Sequence, residues 1–355
     1  MLAQHPIRDI MAILLVGIAV TFTACSSDDA PPPVDQSYSG PGSKWDVTLK
    51  ADGTYTIDKY TNAADTTVDF AVTGTYTTLT SGFKKLTVGT VTGTGGPAVG
   101  DTAYAMEVPG FMLALKPAGN SSQLIPMVST GTCPASDVIL NWAKVNTGDG
   151  VTDFTTADLA GTFNYVAATG ASTVTAAYSV DHTSKGTNAL GAGTCANGLL
   201  TVSNVDIYLT SAGGAVVNTN NSNPADAEFI FGFGQKAISD ISSLNGNYIG
   251  VRFRQFDNSL EPVEVICTAG VCTGQGYTNI ETGEKASGSV SITFDPVDSP
   301  ATGLITATIT ESTKSGRLIC MFDKNAAGSG KIIGNCAGYE PDDNTKFFNV
   351  LFVSK

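Results

Sequence analysis

The chain has 355 residues, 42% of them hydrophobic and 14% charged, with 19 basic against 32 acidic side chains and a formal net charge of −13. That much apolar material excludes an intrinsically disordered chain and is enough for two or three cores of ordinary domain size. A surface this acidic repels phosphate backbones, which excludes nucleic acid as a partner.

From the N-terminus, Ile10 to Val20 is a continuous apolar run. It is too short to cross a bilayer as a helix and has the length of the hydrophobic region of a secretory signal. The run closes on Phe22-Thr23-Ala24-Cys25, a bulky apolar residue, two small residues and a cysteine. This resembles the lipobox of bacterial lipoproteins. The resemblance implies that residues 1–24 are a signal peptide and that Cys25 is the lipidated first residue, carrying palmitate or a similar acyl chain. Two or more acyl chains hold a protein at a membrane where one does not, so the implied membrane contact is an N-terminal lipid anchor and not a span. Ser26 to Pro33 is polar and proline-rich, and residues 25–40 read as an extended tether. Ser26 after the cysteine resembles the outer-membrane sorting signal of Gram-negative lipoproteins. Ser26-Ser27-Asp28-Asp29 is similar to the acidic export signal of Bacteroidota surface lipoproteins. Together they imply an outer-membrane location, at the cell surface or on the periplasmic face.

After residue 40 apolar and polar residues alternate along stretch after stretch, as half-buried strands do. Trp45, Val47 and Leu49 lead through the Asp52-Gly53 turn to Tyr55 and Ile57. Phe70 and Val72, Leu86 and Val88, then 103–108, 111–115, 124–128 and 138–145 follow. Threonine and valine dominate them, and branched side chains fit a pleated surface better than a helix. One helical turn is expected near Thr156 to Leu159. The predicted fold is all-β, two or three tandem antiparallel sandwiches or barrels. Loosened composition divides it into a first β-domain over 41–150, a second over 151–243 and a third over 244–355; the second is short and loop-rich, and sharing a core with the third is the alternative. In the third, the inward residues read as Ile249, Val251 and Phe253; Val263, Val265 and Cys267; Val290, Ile292 and Phe294; Ile305, Ala307 and Ile309; Leu318, Cys320 and Phe322; Phe348, Val350 and Phe352.

A glycine closely followed by an aromatic opens each unit: Gly42-Ser43-Lys44-Trp45, Gly161-Thr162-Phe163 and Gly246-Asn247-Tyr248. This resembles the start of lipocalin-like (calycin) barrels, where the aromatic closes the barrel floor.

Setting Cys25 aside leaves an even number of cysteines, which suits disulfides in an oxidising compartment. Cys267 and Cys272 flank a tight turn containing Gly270 and can face each other across it. Cys320 and Cys336 lie on two apolar runs joined by a glycine-containing loop. By elimination Cys133 meets Cys195. Zinc is the rival reading, but neither close pair has the two-residue spacing of a zinc knuckle.

Catalytic signals are few. His182, beside Asp181, is the one histidine after the implied cleavage point; neighbours on a strand point to opposite faces, so it reads as a loop histidine and not a triad base. Ser81-Gly82-Phe83-Lys84, Ser243-Leu244-Asn245 and Lys314-Ser315-Gly316 match short motifs of penicillin-binding enzymes, but the first leads into a strand where those enzymes need a helix. Glu340, Asp342, Asp343 and Asn344, or Asp149 with Asp153, offer oxygen ligands without the spacing of a calcium loop. Phe229, Phe231 and Phe233 alternate on one face and read as core, with a barrel pocket as the alternative. Trp45, Tyr55 and Tyr76 offer the same choice in the first unit.

The expected function is therefore a lipid-anchored envelope or cell-surface β-protein that binds a ligand or protein partner, without enzymatic activity, metal or cofactor; no ligand-binding residue is assigned. The alternatives are a structural or adhesive subunit assembling by strand pairing, and a carboxylate-dependent hydrolase.

Overall fold

A computed structural model describes residues 34–355 apart from 42–43, 62–65, 118–123, 130–131, 148–150, 221–227, 236–240, 258, 296–298 and 325. Cys25, the signal peptide, most of the tether, Gly42, Ser43 and Asp149 lie outside the described residues.

The described chain is all-β. The first sheet comprises β1 (Gln36–Gly40), β2 (Trp45–Leu49), β3 (Thr54–Tyr60), β4 (Val68–Thr78), β5 (Lys84–Gly93), β6 (Thr102–Val108), β7 (Met112–Lys116) and β8 (Ile125–Ser129). Each pairs with the next, and β1 pairs with β8 at Tyr38↔Ser129, so the sheet closes into a barrel. The second contains β9 (Val138–Lys144), β10 (Ala160–Val166), β11 (Ala171–Tyr178), β12 (Ser184–Ala192), β13 (Cys195–Ala196), β14 (Leu199–Val202), β15 (Val205–Thr210), β16 (Gly214–Asn218) and β17 (Phe229–Gly234). Its order is 12-11-10-9-17-16-15-14-13, and it does not close. The third comprises β18 (Gly246–Arg254), β19 (Ser259–Thr268), β20 (Val271–Asn279), β21 (Glu284–Lys285), β22 (Val290–Asp295), β23 (Leu304–Glu311), β24 (Lys314–Asp323), β25 (Ile333–Glu340) and β26 (Asp343–Ser354). Pairing of β19 with β20 closes it, leaving β21 as a short appendage.

Turn chemistry sets the registers. Between Thr268 and Val271, Ala269 and Gly270 both take positive φ, 50° and 84°, the backbone of a two-residue hairpin turn whose twist matches that of the strands. This puts Cys267 opposite Cys272, and they are disulfide-bonded. Cys320 and Cys336 are likewise paired across β24 and β25 and bonded. The third disulfide, Cys133–Cys195, ties the segment between the first two sheets to β13 at an edge of the open sheet.

Three sequence expectations are corrected. Val138–Lys144, placed before the composition break at 146–150, is an inner strand of the second sheet, paired with β10 and β17. Residues 154–156 form a turn in place of the expected helix near Thr156 to Leu159, and the helical turns in the described residues are 3-10 segments at Ile241–Leu244 and Ala326–Gly328. The inward face of β18 is reversed: Tyr248 packs in the third barrel's interior, whereas Ile249 and Val251 point out into a core shared by all three sheets.

That shared core explains the reversal. It gathers Met106, Phe111 and Met112 from the first barrel, Phe229, Phe231 and Phe233 from the second sheet, and Ile319, Met321 and Leu351 from the third. Strands such as β24 and β26 are thus buried on both faces and carry apolar runs, Leu318 to Phe322 and Phe347 to Val353 with only Asn349 interrupting the second, whose alternation no longer says which side is inside. Buried amides stitch the same interface. Asn349 Nδ2 donates to the carbonyls of Lys144 (2.9 Å) and Cys336 (3.0 Å), and Asn335 Nδ2 donates to the Ala143 carbonyl at 3.3 Å.

Candidate functional site

The third barrel is filled by stacked aromatics, with Tyr248 and Phe352 at 5.4 Å and Phe294 and Phe322 at 5.2 Å between ring centroids. The second sheet is different because it stays open. Its free edges converge at one end, where Gly191 and Gly193 at the end of β12 lie against Val202, Leu200 and Thr201 of β14. Register shifts between Ser172 and Tyr178 bend β11 against β12, and bulges of this kind increase local twist. Toward the start of β12 the seam parts, and Lys185 to Asn188 and Val205 line a cavity of about 610 Å3 on the concave face. That volume falls in the range of sites for drug-sized ligands, ~300–1,000 Å3.

The wall is largely apolar: Leu140 and Trp142 from β9, Phe163 from β10, Ala177 from β11, Val217 from β16 and Ile230 from β17. Trp142 stands in this wall on β9, an inner strand, and its two cross-strand partners are both glycine, Gly161 and Gly232. A Cβ at Gly161 would lie 2.6 Å from the indole ring, so glycine is what lets the ring rest on the neighbouring strand. No side chain from either neighbour covers the indole, and the concave face is left unfilled there.

Trp142 is only 4% exposed, yet its Nε1–H makes no hydrogen bond among the described residues. A buried donor without an acceptor costs about 1–3 kcal/mol, and such groups are few in native proteins.

The polar part of the lining comprises Thr156, Asp158, Lys185, Thr187, Asn188, Thr219 and Glu228, and behind two of these lies Lys144, two residues along β9 from Trp142. Its side chain is 3% exposed and pairs with Glu228 at 2.8 Å and Asp158 at 3.1 Å. Both acids line the cavity. Each is held by the same ammonium, an arrangement that does not resemble two opposed carboxylates flanking a scissile bond.

The residues singled out by sequence fall elsewhere. Phe229, Phe231 and Phe233 are buried in the shared core. Trp45 and Tyr55 line a second cavity of about 450 Å3 in the first barrel, with Lys59 and Phe70; Tyr76 instead donates its hydroxyl to Lys50 O at 2.7 Å. Burial pushes the Tyr55 hydroxyl up to about 12. His182 has φ 61° in the turn after β11, and Asp181 pairs with Arg317 at 3.8 Å. Ser81 and Gly82 form a turn before β5, Ser243 and Leu244 belong to a 3-10 turn, and Lys314 to Gly316 begin β24. In the acidic loop Asp342 pairs with Lys314 at 2.7 Å and Asp343 with Lys346 at 3.0 Å, while Asn344 donates to Asp153 at 3.1 Å. Thr345 and Lys346 bond the Asp343 carboxylate and hold it down near 2. Among the described residues no cluster of histidine, cysteine, aspartate or glutamate could hold a metal ion.

No family model and no curated protein matches the sequence. Among solved structures, the chain is similar to the isotype 1 transferrin-binding protein B of serogroup B Neisseria meningitidis, at 10% identity and a TM-score of 0.28. It is also similar to a tryptophan-to-alanine mutant of transferrin-binding protein B from Haemophilus parasuis Hp5, at 9% identity and a TM-score of 0.23. In both cases the match covers 88% of this chain and 65% of the other, so the chain spans less than two thirds of their length.

Proposed function

We propose that the protein is a lipid-anchored envelope protein that recognises its ligand by binding and not by catalysis, and that it holds the ligand against the concave face of the second sheet. The observation that carries this reading is the cavity of about 610 Å3 with its tryptophan flanked by two glycines. Two closed barrels brace the open sheet from its convex side through the shared core, which gives the concave face a rigid backing. Rigid backing lowers the ordering cost of binding. The lipobox-like segment and tether are features of sequence, and they support an outer-membrane, lipid-held location for this scaffold, with a surface ligand or protein partner.

Two experiments test the reading. Cys25→Ser should move the protein from the membrane fraction to the soluble fraction. Ala177→Trp, which fills the cavity from β11, should abolish binding of a neutral apolar fluorophore by the full chain while leaving its far-ultraviolet spectrum unchanged. Retention of the Cys25→Ser protein on membranes would contradict the anchor, and undiminished fluorophore binding by Ala177→Trp would contradict the site.

The adhesive alternative would use β12, whose residues are exposed along nearly the whole strand. Its pairing with β11 is broken by register shifts, and Gly186 and Gly191 take positive φ, features that blunt an edge against a further strand.

A further inference from the structure

We infer that the protein has a second binding site, separate from the concave cavity, which takes a neutral, hydroxyl-rich ligand of the saccharide class. The site is a cleft of about 500 Å3 between the outer face of β1 and β2 in the first barrel and strands β13 to β15 at one edge of the second sheet. That volume lies within the range of small-molecule sites, ~300–1,000 Å3.

The cleft has two walls. On the barrel side β1 and β2 alternate, so Tyr38 and Val47 fill the barrel core while Ser37, Ser39, Asp46 and Thr48 face outward. These outward groups are paired locally. The Ser37 and Thr48 hydroxyls share a hydrogen bond at 3.0 Å, Ser39 donates to Asp46, and Lys44 pairs with Asp46 at 3.2 Å. On the sheet side, Asn197 and Gly198 take positive φ, 52° and 79°, in the two-residue turn that joins β13 to β14. The Cys133–Cys195 disulfide pins this hairpin, and its turn presents Asn197 to the cleft beside Leu199 and Tyr208.

Two of these groups select the ligand. Tyr208 is 5% exposed, yet among the described residues its hydroxyl has no hydrogen-bond partner, and it is not sealed from water as the Trp142 nitrogen is. Burial, with the Asp206 and Asp46 carboxylates nearby, pushes that hydroxyl well above the usual tyrosine range, so it stays protonated. The Asn197 amide also has no partner among the described residues. A phenol hydroxyl and an amide each donate and accept. Their complement is a group that does both, as a sugar hydroxyl does and a carboxylate, phosphate or ammonium does not. Charge points the same way. Asp46 and Asp206 oppose an anion at Tyr208, while Lys44 already occupies Asp46, the one carboxylate in the lining, and opposes a cation. Leu199 and Ala196 supply apolar contact for the C–H face of a sugar ring.

The test applies the full chain, Tyr208→Phe, Ser37→Trp and Ala177→Trp to an array of neutral saccharides, with sialylated and sulfated saccharides as its anionic arm and chitosan oligomers as its cationic arm. Tyr208→Phe keeps the ring and removes only the hydroxyl; Ser37→Trp fills the cleft from an exposed position and should leave the far-ultraviolet spectrum unchanged. The wild type should bind neutral members. The best of these, titrated in solution, should bind Tyr208→Phe about tenfold more weakly, the size expected for loss of one hydrogen bond, and Ser37→Trp not at all. Ala177→Trp, which fills the concave cavity, should bind it as the wild type does, so the two sites are read separately. Binding to no neutral saccharide, or to charged ones alone, would overturn the inference. So would wild-type affinity in Tyr208→Phe or Ser37→Trp, or loss of saccharide binding in Ala177→Trp.

Discussion

Asn349 of β26 donates to the backbone carbonyl of Lys144, 2.9 Å away, across the interface between the third barrel and the second sheet. The same lysine pairs through its side chain with Glu228 and Asp158, both of which line the cavity. One residue of β9 thus links the buried scaffold to the candidate site, and the rigidity of the concave wall depends on contacts made behind it.

Asn349 is fully buried, and its amide also donates to Asn335 Oδ1 at 2.6 Å and Cys336 O at 3.0 Å. Replacing it with alanine strands these acceptors away from water. Asn349→Ala is expected to lower stability by about 1–3 kcal/mol, read from the midpoint of denaturant unfolding.

Lys144→Met leaves two carboxylates beside each other without their cation. Asp158 is about half exposed, so screening reduces the cost below that of a fully buried pair, to about 1–3 kcal/mol. Adding Glu228→Gln to Lys144→Met should recover part of the loss, and a double-mutant cycle measures the coupling. Strictly additive losses would mean that the pair contributes nothing.

The disulfides should differ in worth because they close loops of different length. Sequence separations are 62 for Cys133–Cys195, 16 for Cys320–Cys336 and 5 for Cys267–Cys272. Loop-closure entropy predicts losses of about 4, 3 and 2 kcal/mol when each pair is replaced by alanines. Unfolding of the three double variants in denaturant checks the order.

Alkaline pH should destabilise the fold through its buried tyrosines. Burial pushes Tyr55 and Tyr248 up to about 12 and raises Tyr38 and Tyr208 further. The folded chain keeps protons that the unfolded chain gives up near pH 10, so this stability is full below about pH 10 and is lost as pH rises through the folded values. Tyrosinate absorbance followed alongside circular dichroism should show these groups ionising only as the fold is lost.

Much of the architecture was legible in sequence, for a physical reason. Where a strand faces a core on one side and water on the other, as at Trp45, Val47 and Leu49 of the first barrel, alternation reports both the strand and its inner face. Where strands are buried on both faces, as at Tyr248 to Phe253, that signal carries no sign, and the inner face was read backwards. The placement of Val138–Lys144 differs for a similar reason: the glycine-rich break follows β9 in the chain, yet β9 pairs with β10 and β17, strands that come after that break. Trp142 was passed over because a single tryptophan in an apolar run is indistinguishable from core filler. Its signal lies in its partners, Gly161 and Gly232, and register is a tertiary property that one sequence does not display. Gly161 did stand out, as part of a glycine–aromatic pair, but its aromatic in that reading was Phe163 and not the indole resting on it.

The central claim is that the ligand sits in the open second sheet, and methyl-detected NMR of the full chain titrated with a neutral apolar ligand tests it most directly. The account predicts shifts clustered on Leu140, Val174, Ala177, Ala215 and Val217, with the first barrel's Ile57, Val72 and Val88 unmoved. Shifts centred on that first-barrel group, or spread over the surface without a cluster, would contradict it.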